Sequence, residues 1–431
     1  MDVPAPRSVR VGLLGCGTVG SALLGLLRGD GDGTLSRTGL RFEVARVAVR
    51  DVTRARPVEV PAGCLTDDPE AVVADPGVDV VVELIGGVEP ARTLVLHALK
   101  EGKPVVTANK ELLATAGPEL FEAAAAAGVD LLYEASVAGG IPLIRPLRES
   151  LAGERITRVM GIVNGTTNYV LTRMTEEGAS YADAVAEAQR LGYAERDPTA
   201  DVEGFDAAAK AAILASIAFG VTVVAGDVYR EGITGVTAAD IDVARRLGFV
   251  VKLLAIAERV DRSVAVRVHP AMVPLTHPLA AVRDSFNAVF VEGEAVGELM
   301  LYGRGAGGLP TASAVLGDLV DAAHNLLQGG SGRTGTLEPA RLRGIEELRS
   351  QYYLDLDVVD RPGVLAAVAT VFGEHGVSIR SMEQEGLGDE ARLVFITHTA
   401  TERDVQATLA GLRHLDVVER VGTLLRVVGP E

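Results

Sequence analysis

Cysteine is nearly missing from this chain: Cys16 and Cys64 are the only two. That excludes a disulfide framework and a four-thiolate zinc site, and it fits a reducing cytoplasm. Long apolar runs are missing too. The longest, 211–225, is about fifteen residues and is broken by Gly220. It falls short of the roughly 20 needed to span a bilayer and reads as a buried helix. Positive charge is in deficit, with 41 basic against 58 acidic residues and a net charge of −17. Such a chain repels phosphate backbones, so no nucleic-acid partner is expected. The first eight residues hold two prolines and no apolar core segment, so no signal peptide is expected. The seven histidines show neither HxxxH nor HxH spacing, which gives catalytic zinc little support. No period of 20–50 residues recurs, which excludes a repeat protein.

Lysine is the most informative scarcity. It occurs only at Lys100, Lys103, Lys110, Lys210 and Lys252, and every other basic residue is arginine. Lysine can lose a proton when buried and arginine effectively cannot. A chain that uses arginine almost everywhere has a chemical reason to keep lysine where that difference matters, although codon bias with chance survivors explains the same count.

What is present is a well-packed globular composition, 48% hydrophobic and 23% charged. At about 150 residues per domain, 431 residues predict roughly three domains. Strands at 10–14, 42–49, 78–84, 104–107 and 129–133 alternate with helices at 21–28, 90–100 and 111–127, which predicts a doubly wound α/β domain over 1–140. The run VDVVVEL reads as a strand buried on both faces of a parallel sheet. The pattern then changes. Helices at 181–191, 201–219 and 239–258 mix with strands at 264–269 and 287–292, predicting an α+β domain over 141–300. A glycine loop at 303–308 precedes a helix at 311–327, and 301–328 is expected to complete the first domain. Residues 329–350 begin with GGSGRTG and read as a linker. Residues 351–431 show the order strand, helix, strand, strand, helix, strand.

Three clusters carry chemistry. Gly15, Gly17 and Gly20 follow a strand and open a helix, with Thr18 and Val19 between them; this G-x-G-x-x-G turn lets a dinucleotide pyrophosphate approach the backbone at a helix N-terminus. At the end of the second strand, Arg50 suits a 2′-phosphate and Asp51 a free 2′-hydroxyl, so the reading leans to NADP and leaves NAD open. Lys110 lies just past a parallel strand, on the side of the sheet where ligands bind. A cation there opposes the helix dipole, so a purely structural role is hard to find for it. The third cluster is Glu195, Asp201, Asp206 and Lys210. Asp206 and Lys210 are four apart and share one helix face. The apolar residues that follow carry Lys210 toward a core, where it can exchange a proton with a substrate oxygen. Glu134 opens the loop EASVAGGI, which by spacing alone is a plain loop.

Taken together, VGLLGCGTVG, VVELIGG, VTANKELLA, YEASVAGGIPLI, VNGTTNYVL, GYAERDPTADVEGFDAAAKAAILA and YGRGAGGLPTASAVLGD resemble the homoserine dehydrogenase family in its long bacterial form. The tail, with DLDVVDRPGVL, resembles an ACT domain. The resemblance implies a Rossmann-like domain, a central substrate and dimerisation domain and a βαββαβ ACT domain. It implies oxidation of L-homoserine to L-aspartate 4-semialdehyde with NADP or NAD, or the reverse reaction in threonine, methionine and isoleucine biosynthesis. It implies that Lys210 donates and accepts the proton, that Lys110 contacts cofactor and substrate, and that Glu195 and Asp206, with Asp201 nearby, hold the substrate ammonium. Gly192 and Gly307 would touch the cofactor. Glu134, Val137, Gly139 and Ile141 would hold a sodium ion, mostly through carbonyls. Threonine is the implied effector of the ACT domain, and a homodimer or homotetramer in the cytoplasm is the implied state.

A competing reading from another class is an amino-acid sensor that binds a dinucleotide without catalysis; the presence of both Lys110 and Lys210 favours the enzyme. Aspartate-semialdehyde dehydrogenase chemistry needs a cysteine nucleophile beside a histidine, and none is evident.

Overall fold

The β-branched and leucine-rich segments near the N-terminus form six parallel strands: β1 (Arg7–Leu14), β2 (Leu40–Ala48), β3 (Leu65–Thr66), β4 (Val80–Glu83), β5 (Val105–Thr107) and β6 (Leu131–Leu132). Their order is β3-β2-β1-β4-β5-β6, all parallel. This computed structural model describes residues 7–29, 31–332, 337–386 and 390–429. The first six residues, and residues 333–336 in the expected linker, lie outside the described set. All four residues of β4 are buried, as a strand covered on both faces requires. The chain leaves β1 to build outward through β2 and later returns to β4, so the crevice between the ends of β1 and β4 is the switch point at which such sheets bind ligands.

The described residues divide into two units. The first takes residues up to 159, 209–227 and 287–340; the second takes 160–208, 228–286 and 341 onward. In the first unit, Leu23 and Leu24 of the helix Thr18–Gly29 share one apolar core with β1, β2 and β4. Ala312, Val315, Leu319, Ala322 and Ala323 of the helix Gly308–Gln328 enter the same core. The return of the chain after residue 300 therefore supplies one wall of the dinucleotide-type fold.

In the second unit, Phe249–Val260 and Ser263–Pro274 form a long antiparallel hairpin whose register runs from Phe249 opposite Pro274 to Val260 opposite Ser263. Beyond it follow Val418–Val427, Arg349–Val359, Glu390–Thr397 and Ile379–Gly386, in that order. The helices Val364–Glu374 and Glu402–Leu412 cover the last group, and the order is the expected βαββαβ. Tyr352, Leu354, Phe372, Phe395, Leu409 and Leu412 belong to its core.

Two expected elements are corrected. The predicted helix 239–258 is a helix only over Ala238–Arg246; Gly248, at φ 82°, then turns the chain into the strand Phe249–Val260. The run FVVKLLAIA is apolar except for Lys252 and fits either period; twelve cross-strand pairs decide for strand. The predicted helix 201–219 is broken by Gly204, at φ 80°, into Thr199–Val202 and Phe205–Phe219. Among the described residues no helix is long and apolar enough to cross a membrane.

Two of the scarce lysines are structural. Lys103 Nζ donates to the carbonyls of Val73 and Asp75 at 2.5 and 2.6 Å. Lys252 is 2% exposed, and its Nζ donates to Asn168 Oδ1 at 2.9 Å and to the Val282 carbonyl at 2.5 Å. Burial lowers Lys252 from the ordinary 10.5 to about 8. Between those values the unfolded chain holds the proton more tightly than the native one. Stability therefore rises with pH across that window, by up to about 3 kcal/mol from this residue. Thermal melts of the wild type and Lys252→Met from pH 8 to 10.5 are expected to show this rise in the wild type alone; parallel curves would remove Lys252 as its source.

Candidate active site

The glycine turn after β1 is built by close approach. A Cβ on Gly15, whose φ is 98°, would lie 2.7 Å from the Leu84 carbonyl oxygen, and one on Gly20 would lie 2.5 Å from the Gly15 oxygen. Gly17 is different: a Cβ there meets nothing within 4 Å. Two glycines thus close the turn, and the third keeps open the face a pyrophosphate needs. Gly15, Gly17 and Thr18 line a cleft of about 660 Å³ with Arg50, Asp51, Arg54, Arg56 and Ile85, which fits a dinucleotide. Gly307 is brought beside the same turn, because its neighbour Gly308 packs 3.2 Å from Thr18 Cγ2 at the position of a Cβ. Val19 instead turns its side chain into the core. At the far end, the Asp51 carboxylate accepts from the Thr53 amide and hydroxyl at 2.9 and 2.6 Å. The Thr53 hydroxyl and amide hold this carboxyl below its usual range.

A relay fixes Lys110. Glu83, fully buried at the end of β4, accepts from the Thr107 hydroxyl at 2.6 Å and from the Ile85 amide at 2.7 Å. Thr107 accepts from the Asn109 amide at 3.0 Å, and Asn109 caps the next helix by accepting from Leu112 N–H at 3.1 Å. Lys110 is the first residue of that helix, Lys110–Ala127. Leu113, one turn on, lines a small cavity with Phe121, Ile213, Ser216 and Ile217. Ile213 is one turn on from Lys210, which is 9% exposed. The two lysine-bearing helices therefore meet with each lysine one turn before the shared wall.

In the second unit, Asn164 joins the acids. Its amide nitrogen donates to Asp201 Oδ1 at 2.6 Å and to Asp206 Oδ2 at 2.9 Å. Its Oδ1 accepts from the Thr167 amide at 2.8 Å, which caps the helix Gly165–Glu177. Sequence reading missed Asn164 as a site residue. The signal was the cap-like Asn ahead of the apolar helical run in VNGTTNYVL. Glu195 sits on an exposed loop, and its carbonyl accepts from the Gln189 amide at 3.1 Å. Gly192 ends the helix Tyr181–Arg190 at φ 78°.

The Glu134 loop is tightly made. The Glu134 carboxylate accepts from the amides of Leu143, Ile144 and Arg145 at 2.5, 2.7 and 2.8 Å. Its own amide donates to Asp318 at 2.7 Å. Burial pushes the Asp318 carboxyl up to about 7, and the charge of Glu134 adds to that. Ala138 and Gly139 both adopt positive φ, at 56° and 55°. Glu134 and Asp318 are both buried; the Arg145 guanidinium lies 3.4 Å from Asp318, while the Arg145 backbone amide holds Glu134. Among the described residues no group of three or more acidic, His or Cys side chains is gathered as a metal site.

Known proteins resemble this chain over nearly its whole length. A family described as homoserine dehydrogenase matches residues 142–320, its NAD-binding domain matches 15–134, and the ACT domain matches 352–413. A homoserine dehydrogenase of Mycobacterium tuberculosis is 52% identical, covering 98% of each chain. That of Corynebacterium glutamicum is 51% identical, over 97% of this chain and 96% of its own. The crystal structure of a homoserine dehydrogenase from Thiobacillus denitrificans superposes with a TM-score of 0.93 at 43% identity, covering 98% of both chains.

The two kinds of glycine are separable. Gly20→Val is expected to lose about 1–3 kcal/mol from overpacking against the Gly15 carbonyl. Gly17→Val is expected to melt within about 1 °C of wild type while dinucleotide affinity falls at least about tenfold. Melting curves and nucleotide fluorescence titration check both, and equal destabilisation by the two would contradict the assignment.

Proposed function

The chain belongs to the homoserine dehydrogenase family, and from that premise we propose how its residues divide the work of an NAD(P)-dependent oxidoreductase acting on a CH–OH group in amino-acid biosynthesis. The reaction converts L-homoserine and oxidised cofactor to L-aspartate 4-semialdehyde, reduced cofactor and a proton, or the reverse. The bound nicotinamide supplies the hydride transfer. In the reducing direction negative charge grows on the aldehyde oxygen, and the Lys210 ammonium gives it a proton. In the oxidising direction Lys210 takes the hydroxyl proton. Lys110 is the second cation near that oxygen and also meets the cofactor. Asp201 and Asp206, with Glu195, hold the substrate ammonium. The observation that carries this reading is Asn164, which gathers Asp201 and Asp206 at the head of the helix bearing Lys210. Asp206 and Lys210, one turn apart on that helix, suit the two ends of one small amino acid.

NADP is the proposed preference. Arg50, Arg54 and Arg56 line the cleft where a 2′-phosphate would lie, and the Asp51 carboxylate is occupied by Thr53. Gly192 and Gly307 are proposed to contact the cofactor through backbone. A sodium ion on the carbonyls of Glu134, Val137, Gly139 and Ile141 is proposed to brace the loop, supported by its two consecutive positive-φ residues and paired acids. The proposed boundaries are 1–140 with 301–328, 141–300, the linker 329–350 and the ACT domain 351–431. Threonine is the proposed effector, bound at the turn around Gly363, where a positive φ of 93° opens the helix Val364–Glu374. A homodimer or homotetramer in the cytoplasm is the proposed working form.

Lys210→Ala is expected to lower turnover by about 10²–10⁴-fold with cofactor affinity nearly intact; stopped-flow and steady-state rates with L-homoserine check it, and near-normal turnover would remove Lys210 from the chemistry. Arg50→Ala is expected to raise the KM for NADP by roughly 10- to 100-fold, the loss of a charge-assisted contact, with little change for NAD. Millimolar L-threonine is expected to inhibit the wild type and raise its melting temperature. If neither changes, threonine is not the effector.

A further inference from the structure

The last strand of the ACT domain, Val418–Val427, lies beside Ser263–Pro274, with Arg426 opposite Ala271. Arg426 is 3% exposed and holds two carboxylates. Within the domain it donates to both oxygens of Glu402, at 2.9 Å each. Outside it, Nη1 and Nη2 donate to both oxygens of Glu231, at 3.0 and 2.9 Å. The Tyr229 hydroxyl donates to the same Glu231 carboxylate.

Glu231 belongs to a short strip that lies on the turn between Asp201 and Asp206. The Ile233 amide donates to the Val202 carbonyl at 2.8 Å. A Cβ on Gly232 would lie 2.3 Å from the Val202 oxygen and 2.6 Å from Glu203 Cα, so the two backbones touch and no side chain fits between them. Gly204 turns beneath the Glu231 carbonyl, with 3.4 Å from a Cβ to that oxygen. The Arg230 guanidinium stacks 3.6 Å over the Phe205 ring. Every residue from Val202 to Phe205 is therefore met by the strip, and these are the residues that set the spacing of the two acids. The strip has a short ladder: Tyr229 and Arg230 pair with Arg267 and Val268, and the Glu231 amide donates to the Val268 carbonyl at 2.7 Å. The bidentate pair with Arg426 adds a charge-assisted fastening at the Glu231 side chain.

We propose that Glu231 is a positioning residue for the substrate-binding carboxylates of Asp201 and Asp206, and that its ion pair with Arg426 makes the ACT domain part of the frame that holds them. The inference rests on reading Asp201 and Asp206 as the ammonium ligands. Hydrogen bonds from one amide to two carboxylates tolerate little displacement. A strip freed from Arg426 lets the turn relax, and the acids no longer converge on Asn164. The defect falls on substrate binding rather than on the cofactor or the proton transfer.

The test is steady-state kinetics on the full chain. Glu231→Gln is expected to raise the KM for L-homoserine about tenfold, the scale of one weakened charge-assisted contact, with kcat and the cofactor KM within about twofold. Glu402→Gln also removes a carboxylate partner of Arg426, on the domain's own side, and is expected to leave the homoserine KM within about twofold. Arg426→Lys keeps the charge without the fork and is expected to give an intermediate KM, which serves if Glu231→Gln folds poorly. An unchanged homoserine KM in Glu231→Gln, an equal rise in Glu402→Gln, or a cofactor KM that moves in step overturns the proposal. Asp206→Asn run alongside separates the two levels. If it raises the homoserine KM and Glu231→Gln does not, only the positioning role falls. If it has no effect, the reading of the carboxylates falls and takes this inference with it.

Discussion

Two carboxylates held together by one amide are the constraint from which the substrate end of this protein is built. Asp201 and Asp206 repel each other, and on an unbroken helix residues five apart would point about 140° away from one another. Gly204 breaks the helix between them at a positive φ, and the Asn164 side-chain amide donates to one oxygen of each. Asn164 is itself immobile because its other end caps a helix. The result is a concentrated negative site suited to an ammonium group, placed at the head of a helix whose next turn carries Lys210. On the proposed reading, the acid pair and the buried lysine would serve opposite ends of a zwitterionic substrate.

The opposite charge is managed by different means. Lys103 and Lys252 are buried and spend their protons on backbone carbonyls and Asn168. Burial lowers both from the ordinary lysine value. Lys110 is instead delivered by a chain of polar contacts from Glu83 through Thr107 to Asn109, which joins the ends of β4 and β5 to the start of one helix. Four of the five lysines thus sort into two uses, structural for Lys103 and Lys252 and the proposed chemistry for Lys110 and Lys210; Lys100 is exposed. Arginine serves neither as well, since it cannot give up its proton and needs more partners to bury its fork.

Much of the architecture was legible because it is local. The glycine turn, the alternation of strand and helix through β6 and the βαββαβ order of the tail each follow from short-range pattern. The failures have a common cause. Residues 249–257 are apolar except for Lys252, so periodicity could not choose between helix and strand, and the choice came from a hairpin partner up to twenty-five residues away. The break at Gly204 sits inside a run with strong helical character. A single glycine in such a run is tolerated as often as it is disruptive.

The candidate site divides along the same line. Sequence alone offered the residue types that the proposed chemistry uses: a glycine turn for a pyrophosphate, two lysines for a developing oxyanion, acids for an ammonium. These are properties of side chains and of spacings shorter than a helical turn or two. Only the tertiary structure decided that Asn164 holds the acids, that Glu83 sets Lys110, and that Arg426 from the far end of the chain braces the strip against Val202. Those contacts join residues 24 to 195 positions apart. A hydrogen bond depends on separation in space, and no spacing along a chain encodes that separation until the core has closed.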